Sequence, residues 1–226
     1  MIERNTQIMK HIKYTAVRVL ALCLVPLMLC LASCGMTLSE IGSSQAQDKE
    51  SGKIWKHAST CYEAIELGDK VGKLKVTSKE SYELYEVVDM DADLWLATEE
   101  KHILYTEDVT LPTLDQMNPT AMLVCVENET TRVIHTMQDA EKLSGLVTAF
   151  TQNQSVIYPS IPVERSYRVR FTSPTYPGVY YSLTYIEYAS DYSLGDNNYG
   201  KYFLYNAFDK VFVPVGDEIH TALGLK

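Results

Sequence analysis

The chain is 226 residues long, 46% of them apolar, and carries 20 basic against 29 acidic side chains, a net charge of −9 at neutral pH. That excess of negative charge is repelled by nucleic acid and by anionic lipid, which excludes nucleic-acid binding and leaves the protein surface no electrostatic affinity for a membrane. The length and apolar content are enough for one domain with a sizeable core.

The first residues have the three parts of an export signal. Arg4, Lys10, Lys13 and Arg18 form a basic part with one acid, Glu3, and Met9-Lys10-His11 would serve as a start as well as Met1 does. Residues 19–32 are an apolar run with no charge. As a helix it would be about 21 Å long, short of the roughly 30 Å of a hydrocarbon core, and Pro26 interrupts it. The run ends in Leu31-Ala32-Ser33-Cys34. These four residues resemble the lipobox of bacterial lipoproteins.

The resemblance implies that residues 1–33 are a lipoprotein signal peptide and that Cys34 receives a diacylglycerol on its sulfur. The mature chain would then begin at Cys34 and hang from the extracytoplasmic face of a cell membrane by that residue. The plain alternative is an uncleaved anchor in which Cys34 is an ordinary thiol. Gly35 follows the cysteine, which leaves a Gram-positive membrane and an outer membrane both open. Four basic residues and one acid precede Cys34, so the remainder holds 16 basic and 28 acidic side chains, a net charge near −12.

Residues 34–52 are polar, poor in aromatics and without a sustained period, and read as the lipidated cysteine and a flexible tether. The folded domain is expected over 53–226, with lobes at 53–150 and 164–226. Runs rich in Val, Ile, Leu and Tyr predict strands at 72–77, 82–88, 94–98, 102–106, 121–127 and 132–135. A helix is predicted over 137–150, because Ala140, Leu143, Leu146, Val147 and Phe150 make one apolar stripe. Thr136 is its expected N-cap, with Asp139 in the first turn. Pro159 and Pro162 mark a connector. Strands resume at 166–171, 179–188, 200–206 and 210–214, and a short helix at 217–223 stops at Gly224.

This pattern predicts an α+β fold: antiparallel sheets with two helices, in which a strand-turn-strand-helix unit is used twice, over 122–147 and 202–225. Lipobox, tether and strand pairs closing in a helix (Arg132-Val133-Ile134-His135, then Asp139, Leu143 and Leu146) together resemble small surface lipoproteins of Gram-positive bacteria. That likeness implies a location and a surface role and carries over no catalytic residue.

Four sets of residues invite a chemical reading. Asp89, Asp91, Asp93 and Glu100 fall at positions one, three, five and twelve of a calcium-loop pattern. Position six is Leu94 where that loop needs Gly, so an acidic turn between strands explains them better and no metal or other cofactor is expected. Eleven of the sixteen tyrosines lie between Tyr158 and Tyr205. Tyr180, Tyr188, Tyr199 and Tyr202 are the expected contact surface for a partner or ligand, against cross-strand packing as the plain account. Cys61 and Cys125 either pair as a disulfide or stay separate as buried thiols. His57, His102, His135 and His220 are scattered, with no HExxH, and no GxSxG or phosphate-binding glycine loop is present.

The sequence therefore points to a lipid-anchored protein acting by binding, as an accessory or sensor subunit for a membrane protein or envelope component. Its alternatives are a small-ligand or cation-binding lipoprotein and an envelope hydrolase.

Overall fold

The computed structural model describes residues 35–128 and 130–225. The stretch expected as a signal peptide, with the lipobox-like Leu31-Ala32-Ser33-Cys34, lies outside the described residues. Fourteen strands and two helices make up the described chain, arranged as a closed seven-stranded barrel and a seven-stranded sheet. This corrects the α+β expectation: the protein is mostly β. Its helices have 13 and 5 residues, too unequal to make a repeated strand-turn-strand-helix unit, and they cover a sheet rather than form a layer.

The barrel comes from the N-terminal half. Its strands are β1 (Met36–Glu40), β2 (Gln45–Asp48), β3 (Ile54–His57), β5 (Leu67–Lys75), β6 (Ser81–Val87), β7 (Trp95–Thr98) and β8 (Ile103–Thr106). They close in the order β1-β2-β3-β8-β7-β6-β5. Leu38, Ala46, Trp55, Leu104, Leu96, Leu84 and Leu74, one from each strand, are fully buried, and Val87, Ala97 and Ile103 are buried as well, in the core shared with the sheet. The indole of Trp55 supplies bulk that the small Ala46 beside it does not.

Residues 34–52, expected as a tether, thus include the first hairpin of the barrel, and the folded part starts at Met36 rather than Lys53. The stretch looks polar because only alternate residues face inward. Asp48 fixes the following turn: its carboxylate accepts from the Glu50 and Ser51 amides, each at 3.3 Å, and from the Ser51 hydroxyl at 2.5 Å.

The second sheet begins after a linker at 107–120, so the boundary between the two parts falls there and not at 150–164. It contains β9 (Ala121–Glu127), β10 (Thr131–Met137), β11 (Val163–Thr172), β12 (Val179–Leu194), β13 (Asn197–Asn206) and β14 (Val211–Pro214), in the order β10-β9-β11-β12-β13-β14. A three-residue strand from the barrel half, β4 (Tyr62–Ala64), pairs with the start of β12 and touches His102 of the barrel through a bridge at Glu63. β4 joins the two parts. One core is shared across the joint, with Trp95, Ala97 and Ile103 of the barrel packed in the same cluster as Val169, Phe171, Tyr181 and Leu183 of the sheet.

Helix α1 (Ala140–Gln152) lies on this shared core through Leu143, Leu146 and Phe150. Its N-cap is Asp139, whose carboxylate accepts from the Glu141 and Lys142 amides at 3.1 and 3.2 Å. Thr136, the expected cap, belongs instead to β10. Helix α2 (Glu218–Ala222) buries Ile219 and ends at Gly224, whose φ of +63° suits a glycine. Residues 153–162 run over a second, smaller cluster of Ile186, Tyr188, Phe203 and Phe212.

Candidate functional site

The tyrosine-rich strands place their rings in three different surroundings. Tyr188 is fully buried edge-to-face against the stacked Phe203 and Phe212, with ring centroids at 5.6 and 6.2 Å. It is a core residue, which corrects its assignment to a contact surface. Tyr180 is half-buried under the Arg170 guanidinium, 5.5 Å from its ring. Tyr199 stacks on Tyr192 at 5.7 Å, in the hairpin beyond the sheet proper. Tyr202 lies between Tyr185, at 6.4 Å, and the His220 imidazole, at 5.2 Å. Both faces of β12 are covered over most of the sheet, so the aromatic excess serves two layers of packing.

Around Tyr202 the structure builds a polar constellation. Arg165 of β11 and Tyr202 of β13 are both register partners of Glu187 on β12. The Glu187 side chain is fully buried. Its Oε1 accepts from Arg165 Nη1 at 3.0 Å and lies 3.6 Å from Lys201 Nζ. Its Oε2 is 3.1 Å from Nδ1 of His220 on α2. An ionised carboxylate only accepts, so the imidazole donates from Nδ1 and keeps Nε2 for another partner.

Burial alone would raise the Glu187 carboxyl; the hydrogen bond and charge of His220, and then Arg165, outweigh it and hold the group below the usual carboxylate range. Tyr167, Tyr185 and Tyr202 form a stacked ladder beside this carboxylate, with centroids 6.3 and 6.4 Å apart. Burial pushes the Tyr185 hydroxyl far up, and the Glu187 charge adds to it. The Tyr185 hydroxyl therefore stays protonated.

A second ionic cluster sits at the joint. Glu63 of β4 is gripped by two arginines of β11. Arg168 Nη2 donates to Glu63 Oε1 and, at 3.1 Å, to the Thr60 carbonyl. Arg170 Nε donates to Glu63 Oε2 at 2.9 Å, and its Nη2 reaches Glu127 of β9 at 3.0 Å. Burial would raise the Glu63 carboxyl, yet Arg168 and Arg170 hold it low. This cluster ties β4 to β11 and β9 of the sheet.

The acidic run does not converge. Asp89, Asp91 and Asp93 belong to the turn between β6 and β7, where Asp91 Oδ1 accepts from the Asp93 amide at 2.9 Å and Asp89 has a φ of +63°. Glu100 lies past the other end of β7, in the next turn. Among the described residues no group of three or more His, Cys, Asp or Glu side chains is placed to hold a metal ion.

Cys61 and Cys125 are both buried and free. Cys125 is on β9, while the Cys61 carbonyl accepts from the Ser182 amide on the far side of β12. Three strand spacings, about 14 Å, separate them, twice the span a disulfide bridges.

A cleft of about 470 Å³ opens between the loop residues Asp115, Asn118, Pro119 and Thr120 and the outer side of α1 at Ala140, Ser144 and Thr148.

Sequence reasoning named Tyr202 and His220 but not Glu187, Arg165, Glu63, Arg168 or Arg170. Each of these five is a charge inside a strand, and only the pairing of the strands brings it to its partner. Comparison with known protein families, with curated proteins and with solved structures found no match.

Proposed function

We propose that the protein is anchored by lipid at Cys34 on the extracytoplasmic face of a membrane and works by binding, as an accessory or sensor subunit of a membrane protein or envelope component. The observation that carries the binding role is an apolar belt on the outer side of the second cluster. Ile157 is 71% and Tyr158 51% exposed. The Tyr158 ring is fixed from below by Phe212, Tyr205 and Tyr188 at 4.9, 5.8 and 6.3 Å. Val163, the register partner of Tyr188, continues the belt and is also exposed. An apolar surface held rigid by a buried aromatic layer loses little conformational freedom when a partner covers it. The belt takes over the role that the sequence assigned to Tyr188.

The test is purification of the lipidated protein from its own membranes in mild detergent. A near-stoichiometric partner that Ile157→Ser and Tyr158→Ser together remove, in a chain that still unfolds cooperatively, is the expected result. A single clean protein, or a partner indifferent to both substitutions, overturns the docking role. The cleft beside α1 favours one second reading, a small-ligand protein. Saturable binding that Ser144→Trp blocks would establish that reading in its place.

A further inference from the structure

The strand directions divide the connections of the barrel between two rims. β1, β3, β5 and β7 run one way, and β2, β6 and β8 run back. The start of β1, the β2–β3 turn at 49–53 and the β6–β7 turn at 88–94 are therefore on one rim, and the turns at 41–44, 76–80 and 99–102 are on the other. Hydrogen bonds link the members of the first rim. The Lys49 amide donates to the Thr37 carbonyl at 3.2 Å, and the Lys53 ammonium donates to the Asp93 carbonyl.

Cys34 precedes Met36 by two residues, a reach of about 7 Å in a fully extended chain. Resting on the lipid attachment proposed above, that reach leaves no room for a stand-off. We propose that the rim formed by residues 49–53 and 88–94 lies against the headgroup layer of the bilayer, and that its partner is a zwitterionic lipid surface.

Two features of the molecule set the class of lipid and the axis of the test. The rim exposes Glu50, Asp89, Asp91, Asp93, Glu107 and Asp108 against the basic Lys49 and half-buried Lys53. Anionic headgroups would repel such a surface, whereas neutral headgroups do not. In addition, β12 starts at this same rim. Gly178, just before it, is so close to the Val88 carbonyl that a β-carbon would come within 2.3 Å of the oxygen. From there β12 runs sixteen residues to Leu194, about 50 Å. The tip of the β12–β13 hairpin is thus the part of the chain carried farthest from the anchored rim along the strand.

The experiment uses the full lipidated protein in phosphatidylcholine vesicles that contain a nitroxide-headgroup lipid. A fluorophore is placed on a cysteine introduced by Ser51→Cys, by Asp91→Cys or by Asp196→Cys. These positions are exposed, whereas the native Cys61 and Cys125 are buried. Mass spectrometry first establishes whether Cys34 carries lipid. Strong quenching at positions 51 and 91, several-fold above that at 196, is the expected result. A fifteen-residue Gly/Ser insertion between Gly35 and Met36 should abolish the difference.

Lipid on Cys34 with equal quenching at all three positions, or with the strongest at 196, overturns the orientation and leaves the anchor standing. A chain without lipid on Cys34 overturns both.

Discussion

In the barrel every strand has a neighbour on each side and most are four to seven residues long, whereas the sheet ends at β10 and at β14, the latter capped by hydrogen bonds from residues 153–156, and has central strands of ten and sixteen residues. The barrel has no edge to protect, and its ring is filled by Leu and Trp side chains. In the sheet the exposed Val133 and Ile134 lie on edge strand β10, where a register shift between Val133 and His135 breaks the ladder and discourages pairing with another chain. The central strands of the sheet carry the arginines of both ionic clusters and the aromatic layers, and the connector at 153–162 lays the apolar belt over them. The buried charges and most of the aromatic rings therefore gather on the sheet, whose long strands leave lengths of surface that a small closed ring cannot.

Four measurements sharpen or break that division. Trp55→Ala removes the largest side chain of the barrel interior and should cost about 4 kcal/mol. Denaturation followed separately by β7–β8 and by α1 probes should show both parts destabilised together, because their core is shared. A sheet that keeps its wild-type midpoint would make the two parts independent.

Glu63→Gln leaves Arg168 and Arg170 without their common carboxylate and should cost about 3 kcal/mol. Its second signature is a broadened or split unfolding transition, since Glu63 sits in the strand that joins the two parts. A single sharp transition at the wild-type midpoint would contradict that role.

Glu187→Gln should be milder, about 2 kcal/mol, because the cations around it retain some access to water. The pH dependence has a definite sign. The folded carboxyls of Glu187 and Glu63 are held below their unfolded values. Their contribution is therefore complete above about pH 4.3, the unfolded range for glutamate, and is lost as pH falls through the lower folded values. Acid titration of the wild type should show this loss, and the double glutamine variant should be flatter there. Identical acid limbs would remove both ion clusters from the stability of the fold.

Tyr188→Phe should have the smallest destabilising effect: the buried Tyr188 hydroxyl has no hydrogen-bond partner among the described residues, so its removal should leave the melting temperature unchanged or slightly higher. A large loss would mean that this hydroxyl is bonded after all.

The strands from residue 72 onward were legible because Val, Ile and Tyr recur at the two-residue period: 121–127 is the full extent of β9, and 82–88 misses β6 by one residue at each end. β1 and β2 were hidden because a barrel strand of four or five residues shows a single inward apolar position, Leu38 or Ala46, amid Ser, Gln, Glu and Asp. The β12–β13 hairpin was read short because its outer half, Asp191 to Asn198, is polar and pairs beyond the core. The clusters at Glu63 and Glu187 were illegible for a different reason: Glu63 meets Arg168 and Arg170 across more than a hundred residues, and Glu187 meets His220 across 33. The acidic turn had a pattern but not the backbone for it, since the strand beginning at Trp95 carries Glu100 away from the three aspartates.

The separation of Cys61 and Cys125 has a kinetic consequence. Two strands stand between β9 and the backbone of Cys61, so the native sheet and a Cys61–Cys125 bond exclude each other. Once the sheet has closed, burial raises both thiols above their usual titration range and keeps them unreactive. Before it closes, an oxidant can join them in a loop that blocks the insertion of β11 and β12. The yield of native protein in an oxidising compartment is then set by a race between strand pairing and thiol oxidation, and Cys61→Ser would decide it in favour of folding.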